Sequence, residues 1–235
     1  MVRLRRALVA GLVVVLAAGC GGHSSKKGRA FQRRFSESDS ARVTNAWFPL
    51  RPGTTFVYRG TKDGKPARDV VTVTSRTKRI LGVSSAVVHD RLFVGGQLAE
   101  ETFDWYAQDK AGNVWYVGEA TEELAHGKVT SREGSWQAGV GGADAGMIMQ
   151  AHPRVGDAYR QEYLKGQAED HAQVLSLSAS VRVPAGSYSN VQLTKEWTPL
   201  EPDVLDHKFY ARGVGLVKEV TVRGPRESAV LVSVR

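Results

Sequence analysis

Cysteine is almost missing from this chain: Cys20 is the only one among 235 residues. No internal disulfide can form, so the fold must be held by packing alone. Long apolar runs are missing as well. The most apolar stretch, Ala7 to Gly19, falls short of the roughly 20 residues that cross a bilayer as a helix, and nothing later in the chain is longer. Catalytic signatures are lacking. There is no Gly-x-Ser-x-Gly elbow and no His-Glu-x-x-His motif. The glycine-rich stretch 139–146 lacks the lysine and the strand-to-helix setting of a phosphate loop. The six histidines, His23, His89, His126, His152, His171 and His207, do not have the spacing of a zinc site. Asp170-His171 and Asp206-His207 set a carboxylate beside an imidazole, but neighbours in a strand face opposite sides. Only a meeting of His171 and His207 across a sheet would build a metal-dependent enzyme. No repeat is evident, which excludes propellers and solenoids. No helical pattern exceeds two turns; Thr121–Ala125 and the segment before Trp47 are the short candidates, and a helical turn is compatible with Phe31–Phe35.

The net charge of +8 suggests nucleic acid, but its placement argues against that partner. Arg3, Arg5 and Arg6 carry three charges at the start, and Lys26, Lys27, Arg29, Arg33 and Arg34 outweigh Glu37 and Asp39 by three, leaving +2 for residues 42–235. A nearly balanced domain has no basic groove for stacked bases.

A basic start, an apolar run and small residues before a cut describe an export signal. Leu16-Ala17-Ala18-Gly19-Cys20 resembles the bacterial lipobox, with Ala17 where that box usually holds leucine. The resemblance implies cleavage after residue 19 and a diacylglyceryl group on Cys20. It also implies an exported protein held at the outer face of the cell membrane. The basic cluster just after Cys20 would lie against anionic headgroups, a second signal beside the acyl chains.

The expected organisation is a signal peptide over 1–19, a disordered basic tether over 20–42 and one β domain over 43–235. The tether is polar, with Phe31 and Phe35 its only large apolar groups. From Trp47 onward the texture is β. Asp63-Gly64 marks a hairpin between Thr54–Gly60 and Arg68–Thr77. Arg79–Val83, Ala86–Val94, Leu98–Gln108, Val114–Gly118 and Lys128–Trp136 read as further strands, and Gly139–Gln150 as a flexible loop with an apolar tip. Ala158–Lys165, Asp170–Val183, Val191–Thr198, His207–Ala211, Gly215–Arg223 and Ala229–Val234 complete the pattern. Eleven or twelve strands exceed what a flat open sheet carries, so the sheet must curl, split or close. The expected fold is mainly β: a single large curved antiparallel sheet, like a half-barrel, with a two-sheet sandwich as the alternative.

Val183-Pro184-Ala185-Gly186-Ser187-Tyr188, then Phe209-Tyr210-Ala211-Arg212-Gly213-Val214-Gly215-Leu216-Val217-Lys218 and a closing apolar strand, resemble exported bacterial proteins of the DUF3108 and TapB-like kind. Trp47-Phe48-Pro49-Leu50-Arg51-Pro52-Gly53-Thr54-Thr55-Phe56 is similar to their opening segment. The resemblance implies a curved antiparallel β protein of the bacterial envelope. It implies no activity and no catalytic residue, and Pro184, Gly186, Gly213 and Gly215 are explained as turns and bulges.

Aromatic residues carry the remaining signal. Trp105, Trp115, Trp136 and Trp197 lie on or beside expected strands, and alternation puts Asp104 and Tyr106 on the face opposite Phe103 and Trp105. Filling a core is the commoner role for such residues; lining a concave ligand pocket is the other. The candidate pocket residues are thus Trp105, Trp115, Trp136 and Trp197, with Asp104 and Tyr106 as polar groups. Two functions follow: carriage of a lipid or other apolar ligand on the concave face, or a structural or protein-interaction role with no pocket. No catalytic residue, metal ligand, cofactor or nucleic-acid partner is expected, and an enzyme is not.

Overall fold

The structure is a computed structural model that describes residues 28–235. The expected signal peptide, Cys20 and the start of the tether lie outside the described residues. Fifteen strands follow one another: β1 (Thr55–Lys62), β2 (Lys65–Ile80), β3 (Val83–Val94), β4 (Gln97–Gln108), β5 (Val114–Ala125), β6 (Lys128–Ser131), β7 (Trp136–Gln137), β8 (Asp144–Met149), β9 (Ala158–Arg160), β10 (Glu162–Tyr163), β11 (His171–Val183), β12 (Gly186–Trp197), β13 (Leu205–Ala211), β14 (Gly215–Arg223) and β15 (Ser228–Val234). They form one antiparallel sheet in the order β10-β8-β5-β4-β3-β2-β1-β15-β14-β13-β12-β11-β9, with β6 and β7 also paired to β5. Two meanders, β1–β5 and β11–β15, are thus joined where the first strand meets the last.

The two ends of this order, β10 and β9, are neighbours in the chain with only Gln161 between them. The sheet therefore curls until one short segment touches both of its edges. The Gln161 N–H donates to Asp170 O at 2.7 Å. A Cβ at Gly146 would lie 2.2 Å from the Gln161 carbonyl carbon, so only glycine lets the segment pass over β8. The ladder breaks at Gln161, and the sheet is curved without being closed. The expected single curved sheet is the one that forms; among the described residues no second sheet packs on it.

Residues 28–42 belong to this fold, although composition places them in a disordered tether. A short helix spans 28–32, and Phe31 lies edge-on to Trp115 with ring centroids 5.4 Å apart. Phe35 is 3% exposed and bridges to Asp109, while Ser40 Oγ donates to Ser84 O. The two phenylalanines that stand out in the polar stretch are what fasten it. The following segment crosses one end of the curved sheet. There Asn45 Nδ2 donates to Gly112 O and Gln150 O, and the Gly213 N–H donates to Ala46 O.

Four local expectations are corrected. Arg79–Val83 is not a strand but a hairpin, with Leu81 (φ 50°) and Gly82 (φ 78°) both left-handed. Leucine rarely adopts that backbone, so the turn carries no sequence signal, unlike Asp63 (φ 52°) and Gly64 (φ 70°), which form the expected one. Thr121–Ala125 is the end of β5, not a helix. Gly139–Gln150 is not wholly a loop, because β8 buries Ile148 and Met149 completely and pairs with β5. Lys128–Trp136 divides into β6 and β7 around a turn.

Candidate functional site

Residues directly opposite each other on paired strands share a face of the sheet. Starting from β5, Glu119 opposes Asp104, and Asp104 opposes Val88. Asp90 opposes Thr102 and Val71; Asp69 opposes Leu92 and Tyr58. Across the junction Tyr58 opposes Leu231, and Ala229 opposes both Gly60 and Glu219. Glu219 then opposes Lys208, which opposes Thr194, and Glu196 opposes Asp206. With the period of two along each strand, Asp69, Asp90, Asp104, Glu119, Glu196, Asp206 and Glu219 all stand on the inner face. Lys208 lies among them, and Lys62, buried at the end of β1, is a second cation on that face.

The outer face is the reverse. Its aromatic rings are covered by cations: Lys78 Nζ lies 3.2 Å from the Trp105 ring centroid, and Arg68 lies 4.6 Å from that of Phe93. Arg76 covers Phe103 at 4.9 Å, Lys195 covers Trp197 at 5.3 Å, and Lys218 covers Phe209 at 5.5 Å. Each such contact contributes about 0.5–1 kcal/mol at an exposed site. These pairs let large aromatic groups sit on the outside of a β protein.

The inner face is layered. Near the end crossed by residues 43–50 it is apolar. Tyr106 stacks on Tyr116 at 4.8 Å and meets the edge of Phe48 at 5.2 Å. A cleft there is lined by Leu50, Phe56, Tyr58, Val71, Val88 and Leu216 among others. The carboxylates stand next to this floor in two groups.

On β12–β14 the Lys208 ammonium lies 2.9 Å from Glu196 Oε2 and 3.5 Å from Glu219 Oε1. Thr194 and Tyr210 hydroxyls donate to Glu196 Oε1 at 2.9 and 3.0 Å. Burial opposes the Lys208 charge, but Glu196 and then Glu219 outweigh it and hold the ammonium above its ordinary range. Burial pushes Glu219 up to about 8 despite the pull of Lys208. Asp206 is also raised by burial, and Thr221 donates to it at 2.6 Å.

On β2–β5 the carboxylates meet hydroxyls and each other. Tyr116 OH lies within hydrogen-bond reach of both Asp104 Oδ1 and Glu119 Oε2. Burial raises Asp104. Thr102 and Thr121 share a hydroxyl contact at 2.9 Å. Asp69 is 2% exposed, and its hydrogen-bonding neighbour is the Asp90 carboxyl. Burial, and then Asp90, push Asp69 well above the ordinary carboxylate range, so it keeps a proton that the two can share. Tyr58 stands between the groups, its hydroxyl donating to Leu216 O at 2.9 Å. Burial, followed by Asp69, Asp90 and Glu219, raises its phenol.

The structure does not gather the six candidate pocket residues. Asp104, Tyr106 and Trp136 are inside, with Trp136 edge-on to Tyr116 at 5.3 Å and its Nε1 donating to Glu162 at 2.8 Å. Gly118 makes room for Trp136: a Cβ there would lie 2.5 Å from Trp136 O. Trp105 and Trp197 lie on the outer face beneath lysines, and Trp115 sits under Phe31 with Arg34 at 5.1 Å. The period of two that separates Asp104 from Trp105 forbids one pocket for all six. Sequence reasoning missed Asp69, Asp90, Glu119, Glu196, Lys208 and Glu219. Their signal was the alternation itself, as in Leu205–Ala211, where Lys208 and Tyr210 share a face and Phe209 takes the other. His171 stacks on Trp197 and its Nδ1 meets Glu169 O at 2.8 Å. Among the described residues no cluster of three or more histidine, cysteine or acidic side chains is arranged to hold a metal ion. None of the described helices is long and apolar enough to cross a membrane.

No family model matches the chain, and no curated protein matches it. Two solved structures are similar. One is a Bacteroides fragilis protein assigned as exported, with a YmcC-like fold; it is 16% identical, with 81% of this chain and 99% of that chain covered and a TM-score of 0.48. The other is a Parabacteroides distasonis protein assigned as a lipoprotein; it is 11% identical at the same coverages, with a TM-score of 0.44. These comparisons assign no family, and the DUF3108 and TapB-like resemblance of residues 183–218 has no matching model.

Proposed function

We propose that this chain is an exported lipoprotein, anchored to the outer face of the cell membrane by a diacylglyceryl group on Cys20, that carries an amphiphilic ligand on the inner face of its curved sheet. The observation that supports carriage is the layering of that face. An apolar cleft at Phe56, Val88 and Leu216 adjoins a zone of buried carboxylates and hydroxyls. An amphiphile presents the same two chemistries in series. A domain built only to be rigid gains more by filling such a face with apolar groups, because buried charges are costly to desolvate. The reading assigns no catalytic step and no nucleic-acid partner.

Native mass spectrometry of the chain isolated from its own envelope tests carriage. A retained organic mass is expected. A mass equal to the polypeptide and its acyl groups alone, unchanged after incubation with envelope lipids, would favour the structural or interaction role. The anchor is tested separately: Cys20→Ser should leave the membrane fraction, and its retention there would overturn the acylation.

A further inference from the structure

We propose that the face built by the helix over 28–32, the Leu81–Gly82 turn and the loop over 139–143 lies on an anionic bilayer surface, with Val140 entering the headgroup layer. The proposal rests on acylation of Cys20 and does not depend on carriage.

Reach is the first observation. Phe31 and Phe35 fasten the segment that begins at Gly28, so only eight residues separate the domain from the acylated Cys20. Fully extended, they span about 28 Å. A domain of this size is about 40 Å across. The helix sits at the end of the sheet that holds the β2–β3 and β4–β5 turns: Gln32 Nε2 donates to Gly82 O, and the Lys110 N–H donates to Arg34 O. Eight residues cannot run the length of the domain, so the opposite end, with the Asp63–Gly64 turn, cannot be the one that rests on the bilayer.

Charge is the second. Arg29, Arg33 and Arg34 are exposed on the docked segment, and Arg79 flanks the Leu81–Gly82 turn. Lys110 is drawn to the same place, its Nζ donating to Arg33 O at 3.2 Å. The acids nearby are largely answered by the protein. Asp144 lies 3.8 Å from Arg160, Asp109 accepts from Trp115 Nε1 and from the Ala111 and Asn113 amides, and Asp39 lies 3.8 Å from Arg42. Residues 28–42 carry four arginines against Glu37 and Asp39, and Lys26 and Lys27 precede them. Each such cation near an anionic surface is attracted to it until salt screens the pair.

Apolar surface set among these cations is the third. A groove of about 730 Å³ is lined by Phe31, Leu81, Trp115 and Ala143, with Arg34 and Arg160 on its walls. Beside it Val140 is 57% exposed. Its loop is seated against the turn, since a Cβ at Gly139 would lie 2.5 Å from Leu81 Cδ2. Arginine, tryptophan and an exposed aliphatic tip together suit the boundary between headgroups and acyl chains.

The test uses the mature chain from residue 20 made soluble by Cys20→Ser, which also leaves it without cysteine. At low salt it is sedimented with vesicles of phosphatidylcholine, alone or with phosphatidylglycerol. Partition at least tenfold stronger into the anionic vesicles is expected. Arg33→Glu with Arg34→Glu should lose about tenfold while still melting cooperatively, and Lys26→Gln with Lys27→Gln should lose less. An environment-sensitive fluorophore at Val140→Cys should shift to the blue on the anionic vesicles, and the same label at Lys65→Cys, on the opposite end, should not. Equal partition into both vesicles, loss of binding with the lysine pair alone, or a shift only at residue 65 would each overturn the proposal. Acylation is read separately from the fractionation of the full chain, so a failure here leaves the anchor standing. The labelled sites need no change among the arginines, so an arginine variant that fails to fold does not spare the proposal.

Discussion

The walls of the inner face handle buried acid in two ways. On β12–β14, Glu196 and Glu219 bracket Lys208, and hydroxyls of Thr194 and Tyr210 complete Glu196. On β2–β5, Asp69 and Asp90 lie side by side and Asp104 and Glu119 share the Tyr116 hydroxyl. The first wall answers its carboxylates largely from its own residues, and its contribution is to the fold. The second holds Asp69 neutral through burial and a neighbouring acid. Proteins tolerate such local conflict mainly where function requires it.

The largest effect expected from breaking this contrast is in the first wall. Lys208→Met strands two buried carboxylates and should lower stability by about 3–5 kcal/mol, read as a shift in the urea midpoint. Adding Glu196→Gln and Glu219→Gln should recover most of the loss, since an uncharged cluster no longer needs the ammonium. In the second wall, Tyr116→Phe removes the hydroxyl between Asp104 and Glu119 and should cost about 1–3 kcal/mol, measured in the same way.

Acidity sharpens the comparison further. Glu219 has an ordinary value of 4.5 and stands at about 8 in the fold. A carboxyl whose folded value is raised binds its proton more tightly when folded, so its ionisation opposes folding. Stability should therefore be full below the ordinary value and fall as pH rises towards the folded one. Asp69 is shifted in the same direction and should add to the slope. Thermal melts from pH 5 to pH 9 should show the decline, and Glu219→Gln should flatten it; melts that rise over this range would contradict the assignment. On the outer face the effects are smallest. Lys78→Ala uncovers the Trp105 ring and should cost only about 0.5–1 kcal/mol in urea unfolding.

Much of the sheet was legible because turns and alternation are local properties. Asp63-Gly64 and the strands around it follow from residues within a few positions of each other. The faces were not legible in the same way. Phe103, Trp197 and Phe209 read as core by their chemistry, yet cations contributed by other strands cover them on the outside, and Trp105 under Lys78 is both covered and buried. Arg76 and Phe103 or Lys218 and Phe209 meet only once register is set. The acid at Asp69 was hidden for the same reason, since its partner Asp90 lies on another strand. β8 escaped because its glycine answers the close passage of Gln161, a demand from outside the segment. Residues 28–42 escaped because two phenylalanines suffice to dock a stretch whose composition is that of a tether.

The most direct test of the contrast between the walls is the stability of Asp69→Asn at pH 7.5, measured by urea unfolding beside the parent chain. An amide at 69 can donate to Asp90 and has no charge to lose, so the account predicts no loss of stability, or a gain. A loss as large as that of Lys208→Met would contradict it, because Asp69 would then be a charge that holds the fold together rather than a neutral acid sharing its proton with Asp90.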